Sequence, residues 1–246
     1  MKKRMIWALC CALALLLTAC ATPEVTSGQG ASGVSETSEA SVVPLSEEEL
    51  QAVRLWLTGT DKLPEQETLY GVSQDWSGRI GCFFTSRYAN VRDLNLGVFL
   101  DYCAVGEVLE DGANDTEFQA YMQIAPWEIG DEDGSVRVAR TPSEMPVPVR
   151  RFRASDLNAL LTEYADITVD DLHTDWKKAL AYLPDYDSFY GGASDYAPGT
   201  FYAAYGEKSG NTVTLYEAEG GDVLTLKASG DSWKIVSHLP QGDAET

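Results

Sequence analysis

The chain has 246 residues and carries 38 acidic side chains against 18 lysines and arginines, a formal net charge of −20. A field of that sign repels nucleic acid and anionic lipid headgroups, so neither is expected as a partner. Apolar residues make up 44% of the chain, enough to build a core. A folded region near 200 residues buries roughly 70% of its unfolded surface and needs no metal or disulfide to hold it.

The N-terminus opens with Lys2, Lys3 and Arg4, followed by an almost unbroken apolar run from Ile6 to Leu17. This is the layout of an export signal, and the run falls short of the roughly 20 residues a membrane-spanning helix needs. Leu17-Thr18-Ala19-Cys20 resembles the bacterial lipobox. That resemblance implies cleavage after residue 19 and lipidation of the Cys20 thiol, leaving the chain anchored to the cell membrane on its extracytoplasmic side. Residues 20–46 are rich in Ser, Thr, Gly and Glu, with too little apolar surface to offset ordering, and are predicted to form a flexible tether.

Residues 47–240 are predicted to form a single α+β domain, with residues 241–246 as a disordered tail. Ser46 followed by Glu47, Glu48 and Glu49 is a capping box, opening a helix to about Leu57 with Leu50, Val53, Trp56 and Leu57 on its apolar face. Ile80–Phe84 and Leu96–Val105 have the look of strands, Thr116–Ile124 of a short helix, and Asp131–Gly134 of a turn. Val147–Phe152 is expected to be extended because Pro148 disfavours helix before it. Ser155 is expected to cap a helix bearing Leu157, Leu160, Leu161 and Tyr164, and a further helical segment begins at Thr168 or Asp170. Four β-rich runs close the chain: Phe201–Tyr205, Thr212–Tyr216, Val223–Leu226 and Trp233–Ser237. Gly-, Asn- and Asp-containing turns separate them, which predicts helices followed by a C-terminal four-stranded antiparallel meander.

Cys10 and Cys11 leave with the signal and Cys20 is taken by lipid, so Cys82 and Cys103 remain. Outside the cytoplasm they form either one disulfide or two buried thiols. Catalytic signatures are sparse. There is no G-x-S-x-G elbow and no S-x-x-K, and Lys208-Ser-Gly210 reads as a hairpin turn. His173 and His238 lack H-x-x-x-H spacing for zinc, and His173 is expected on a solvated helix face among Asp170, Asp171 and Asp175. Asp131–Gly134 and Asp185–Asp187 supply hard oxygens without EF-hand spacing, and no metal or other cofactor is assigned. Tyr186, Tyr190, Tyr196 and Tyr202, with Tyr205, Phe189 and Phe201, surround Gly191-Gly192. Such rings either stack on a sugar or peptide ligand or form the core between the meander and the helix before it. Arg150, Arg151 and Arg153 are the basic cluster, expected in local salt bridges.

Several stretches resemble a group of uncharacterised lipoproteins of Gram-positive, mainly gut, bacteria. Cys82–Tyr88 with Asp93–Phe99 is similar to that group's apolar run, tyrosine, short helix and "I-D-L" segment. Asp156–Asn158, Tyr164–Asp171, Tyr182–Tyr190 and Ser194-Asp195 are similar to its "Y-x-G-I-T-x-D-D" junction, "Y-D-x-Y-Y" run and "G-D-T" turn. This chain departs with Ala165-Asp166 at the junction and Ser194-Asp195-Tyr196 at the turn. The resemblance implies a lipoprotein with a shared α+β fold and no assigned activity. The last hairpins, through Gly230-Asp-Ser-Trp-Lys-Ile-Val236, also resemble those of nuclear-transport-factor-like cone domains, whose curved sheet often holds a pocket.

Taken from the sequence, the function is that of a non-catalytic envelope lipoprotein binding a partner, either protein or cell-wall glycan. Two alternatives stay open: a hydrolase of wall or dietary glycan acting through a carboxylate pair, and a small-molecule-binding domain with a pocket on a curved sheet.

Overall fold

The computed structural model describes residues 41–58, 67–68, 71–72, 79–192, 199–218 and 221–243. The export signal, Cys20, most of the expected tether, Tyr196 and the last three residues lie outside them. Antiparallel sheets and helices alternate along the chain, an α+β fold. Among the described residues no helix is long and apolar enough to cross a membrane.

In chain order, β1 (Val43–Pro44) precedes α1 (Glu47–Thr58) and the small ladder β2 (Glu67–Thr68) and β3 (Gly71–Val72). Two 3-10 turns, Gly81–Phe84 and Val91–Asp93, lead to α2 (Leu96–Asp101), β4 (Glu107–Val108) and α3 (Asp115–Ile124). The hairpin β5 (Glu128–Gly130) and β6 (Val136–Val138) follows, then β7 (Val149–Arg153), α4 (Ala154–Ala165) and the single-turn α5 (Trp176–Ala179). The chain finishes with β8 (Tyr182–Leu183), β9 (Ser188–Gly192), β10 (Tyr205–Ser209), β11 (Thr212–Tyr216), β12 (Asp222–Ser229) and β13 (Ser232–Pro240).

The expected capping box forms. The Ser46 N–H donates to Glu49 Oε2 at 2.9 Å and the Glu49 N–H donates to Ser46 Oγ at 3.2 Å. Lys208 on β10 reaches the same carboxylate, and this contact holds the Glu49 carboxyl down at about 2. With its first turn satisfied, α1 turns Leu50, Val53 and Leu57 into the core. Arg54 ties the helix onward, its Nε donating to the Ala203 carbonyl at 2.7 Å.

Two expectations for the middle of the chain are corrected. Residues 81–84 form a 3-10 turn rather than a strand, and Leu96–Asp101 is α2. A continuous apolar run carries no period to separate helix from strand. Asn95 decides the second case by accepting the Val98 N–H at 3.2 Å, and Leu96, Phe99 and Leu100 then share one buried face. Helix α4 begins at Ala154, so Ser155 lies inside its first turn rather than capping it. The Ala154 N–H is satisfied instead by the Asp187 carbonyl at 2.9 Å. Leu157, Leu160 and Leu161 are fully buried, each contributing about 1.5–3 kcal/mol through burial.

The C-terminal strands pair consecutively, but the sheet has five strands, in the order β1-β10-β11-β12-β13. Strand β1 joins its edge through Val43↔Lys208 and Pro44↔Glu207. Phe201–Ala203, expected as strand, precedes β10, which starts at Tyr205. The turn after β10 places Gly210 at φ +61°, the left-handed geometry that a tight hairpin demands. A bulge interrupts β12 and β13: Thr225 pairs with Ser237 and Leu226 with Ile235, leaving Val236 unpaired. A second sheet, β4-β7-β9-β8, takes the segment expected to be extended over Val147–Phe152 as its strand β7, while its pairing with β4 and β9 was not expected.

Two apolar clusters result. The larger joins α1, the 3-10 turns, α2 and α4 to the five-stranded sheet, centred on Phe83, Phe99, Leu160 and Leu215. The smaller packs Phe118, Tyr121 and Met122 of α3 against Val149 and Tyr190 of the second sheet.

Candidate functional site

The expected tyrosine surface does not assemble as one patch. Tyr190 is buried, its hydroxyl donating to Glu117 Oε1 at 2.6 Å and its ring stacked on Tyr121 at 5.3 Å. Tyr186 is exposed in the turn between β8 and β9. Tyr202, half-buried ahead of β10, lies under the Arg54 guanidinium at 5.2 Å. Tyr205 is exposed and stacked on Tyr216 across β10 and β11. Phe189 and Phe201 are core residues. The rings therefore divide between two sheets, because residues 188–192 and 205–209 belong to different ladders.

Cys82 and Cys103 stand as free, buried thiols rather than as the disulfide that was one of the two expectations. Their side chains are hydrogen-bond neighbours, and burial pushes the Cys82 thiol well above its ordinary range. Arg151 and Arg153 form the expected local salt bridges, Arg151 to Glu117 at 2.7 Å and to Glu107, and Arg153 to Glu107 at 3.3 Å. Arg150 instead donates to the carbonyls of Cys103 and Gly106 at 2.8 and 3.2 Å. His173 is exposed on the loop before α5 rather than on a helix, its Nδ1 at 2.7 Å from Asp93. Among the described residues no group of three or more His, Cys, Asp or Glu side chains is placed to hold a metal ion.

The richest polar geometry lies where the start of β12 meets the end of β13. There Phe84, Thr85, Ser86, Arg87, Asp222 and His238 line a pocket of about 280 Å³. His238 is 2% exposed and held from both ends. Its Nδ1 lies 2.9 Å from the Ser86 carbonyl, which can only accept, so Nδ1 carries the proton of that bond. Its Nε2 lies 3.1 Å from Asp222 Oδ2 but makes no hydrogen bond. Phe84, Phe201 and Tyr88 surround the imidazole edge-on at 5.8, 5.9 and 6.2 Å. The backbones of Tyr88 and His238 exchange both hydrogen bonds, at 2.7 and 2.9 Å, which fixes residues 84–88 along β13.

Asp222 is also gripped by Arg87, whose Nε lies 3.0 Å from both carboxylate oxygens. That contact uses one edge of the guanidinium, and Arg87 remains largely exposed. Glu217 closes the turn behind the site, accepting the N–H groups of Asp222 and Tyr202, each at 3.1 Å. Thr85 Oγ1 is engaged with the Cys82 carbonyl at 2.8 Å. Ser86 Oγ is buried and has no partner. An unmade hydrogen bond at a buried hydroxyl costs about 1–3 kcal/mol, which a bound polar group would recover. Gly199 packs behind this segment so closely that a Cβ there would meet the Phe84 carbonyl carbon and oxygen at 2.3 Å.

The sequence reading passed over this site because its parts come from residues 84–87, 222 and 238, with no local spacing to connect them. Chemically it offers a free hydroxyl and the outer edge of a guanidinium beside an oriented imidazole. That set is suited to holding a small polar group. No family model, no curated protein and no solved structure matches this chain.

Proposed function

We propose that the chain is an exported envelope lipoprotein, anchored to the cell membrane through lipid on Cys20, whose folded domain binds a small polar ligand in the Ser86–Arg87–His238 pocket. The anchor rests on the basic start, the apolar run and Leu17-Thr18-Ala19-Cys20, followed by a Ser- and Gly-rich stretch that gives the domain reach. The observation that carries the ligand reading is Ser86 Oγ, buried without a partner beside the outward edge of Arg87. A carboxylate or hydroxyl would accept from Arg87 and exchange a hydrogen bond with Ser86. The reading favours binding over turnover, since the His238 imidazole is 2% exposed and its Nδ1 is committed to the Ser86 carbonyl.

Two measurements test it. Cys20→Ser is expected to move the protein from the membrane fraction to the soluble fraction, and unchanged fractionation would refute the anchor. The mature chain carrying Cys20→Ser is then screened by thermal shift against small carboxylates, amino acids and monosaccharides. A stabilising ligand whose effect disappears in Ser86→Ala and Arg87→Ala is expected. Stabilisation that survives both changes places the ligand elsewhere.

A further inference from the structure

We infer that a second pocket, at the far end of the β12–β13 hairpin, binds the phosphate ester of a small polyol. This pocket has a volume of about 300 Å³ and is bounded by Asn90–Arg92, Ala165–Ile167, Lys227–Ser229 and Lys234–Val236. The inference does not depend on the Ser86 pocket.

The first observation is a concentration of positive charge in a strongly acidic chain. Lys227 and Lys234 are directly opposed across β12 and β13, a pairing of like charges that weakens a sheet unless something compensates it. Lys234 is partly relieved, its Nζ donating to the Thr162 and Glu163 carbonyls near the C-terminal end of α4 at 2.9 and 2.7 Å. Lys227 has no such relief. Arg92 is exposed on the opposite wall; the Asp171 carboxyl is held below its ordinary range by its hydrogen bonds from Thr168, and only to a lesser degree by Arg92. Among the described residues no carboxylate closes a salt bridge to Arg92 or Lys227, while Arg79, Arg87, Arg137, Arg151, Lys177 and Lys208 each have one. Three cations from two separate segments thus line one pocket, and among the described residues none of them is in a salt bridge.

The second observation is irregular backbone on two walls of the pocket. The bulge leaves Val236 unpaired at its rim, 38% exposed, where a regular ladder would have continued. Asp166, on the facing wall, adopts φ +55°, a left-handed conformation that costs a non-glycine residue energy. Its N–H closes α4 by donating to the Thr162 carbonyl at 3.2 Å, and no described hydrogen bond uses its carboxylate.

The lining decides the ligand class. A guanidinium and an ammonium facing one space recognise phosphate oxygens, the first through its planar fork and the second as a point charge. A bare anion would leave the Asp166 carboxylate opposed to it. A hydroxyl-bearing ester turns that group to use, since Asp166 and Ser229 both accept from alcohols. The overall negative charge does not forbid this, because beyond roughly 8 Å exposed charges are screened at physiological salt. It does disfavour an extended anionic surface, so the ester is a soluble molecule rather than a lipid headgroup.

The test is an NMR titration of the mature chain carrying Cys20→Ser, with sn-glycerol 3-phosphate, glycerol and inorganic phosphate as probes and phosphatidylglycerol vesicles as a fourth. Saturable shifts are expected at Asn90–Arg92, Asp166–Ile167 and Lys227–Ser229 with glycerol phosphate, weaker ones with phosphate, and none with glycerol. Added sodium chloride is expected to weaken binding. Arg92→Ala and Lys227→Ala should each weaken it about tenfold without lowering the melting temperature, since both side chains are exposed and Lys227→Ala also relieves the repulsion with Lys234. Ser86→Ala should leave it intact. The inference is overturned if glycerol phosphate causes no saturable shift there, if either cation variant binds unchanged, or if only the vesicles bind.

Discussion

The molecule contains two polar networks built on an arginine–carboxylate pair, and they differ in how far they open to solvent, with Arg151 16% exposed and Arg87 60%. Between α3 and the second sheet, Glu117 is 5% exposed and accepts from Arg151 at 2.7 Å, from Tyr190 at 2.6 Å and from Asn114 at 3.4 Å. Its carboxylate takes three donors, although Arg151 Nε stays buried without a partner, and burial first, then Glu117, keeps the Tyr190 hydroxyl protonated well above the ordinary tyrosine range. Near His238, Arg87 and Asp222 pair at 3.0 Å, but this network opens onto a pocket and places a buried, unpaired hydroxyl beside it. A closed network fastens elements together. An open one retains bonding capacity for a visitor, at a standing cost to the empty fold.

Removing one partner from the closed network should have the largest effect. Glu117→Ala leaves Arg151 buried beside a vacant site, and is expected to lower unfolding stability by about 3 kcal/mol in urea denaturation. A loss below roughly 1 kcal/mol would show that the network is not a fastening. An intermediate effect is expected at Gly199→Ala, where the new methyl must displace the Phe84 backbone. About 1–3 kcal/mol should be lost, with NMR shifts spreading through residues 84–88. Shifts confined to Gly199 and its sequence neighbours would contradict that packing. Ser86→Ala should have the smallest effect and the opposite sign. Deleting an unsatisfied buried hydroxyl is expected to leave the unliganded protein unchanged or up to about 1 kcal/mol more stable. A clear loss of stability would mean that Ser86 Oγ is already bonded, and the contrast between the two networks would collapse.

What was legible beforehand follows the range of the interactions involved. Helix α1 could be read because Ser46 and Glu49 cap it within one turn, and the last strands because residues 209–211 and 229–231 spell their own turns. The segment from 80 to 105 misled because Gly81–Phe84 is apolar without a period, and Asn95 was the one local clue to α2. The pairing of the second sheet was invisible because β4 and β8 are two residues long and pair across distant sequence, as Glu107 does with Arg151. The candidate site failed to show for the same reason: nothing near Ser86 announces a partner at residue 238. Tyrosines 186–205 looked like one group because they are close in sequence, although the fold sends Tyr190 inward and Tyr205 to the other sheet.

The short strand β1 has a consequence for crowding. An open sheet edge is a template on which a second copy can add and polymerise. Here one edge is finished by Val43–Pro44, and a proline contributes no N–H for a newcomer to use. Near the opposite edge, Tyr88 already occupies the main-chain groups of His238 that another strand would seek. A second copy approaching either edge would therefore find less free main chain to pair with at Pro44 and at His238.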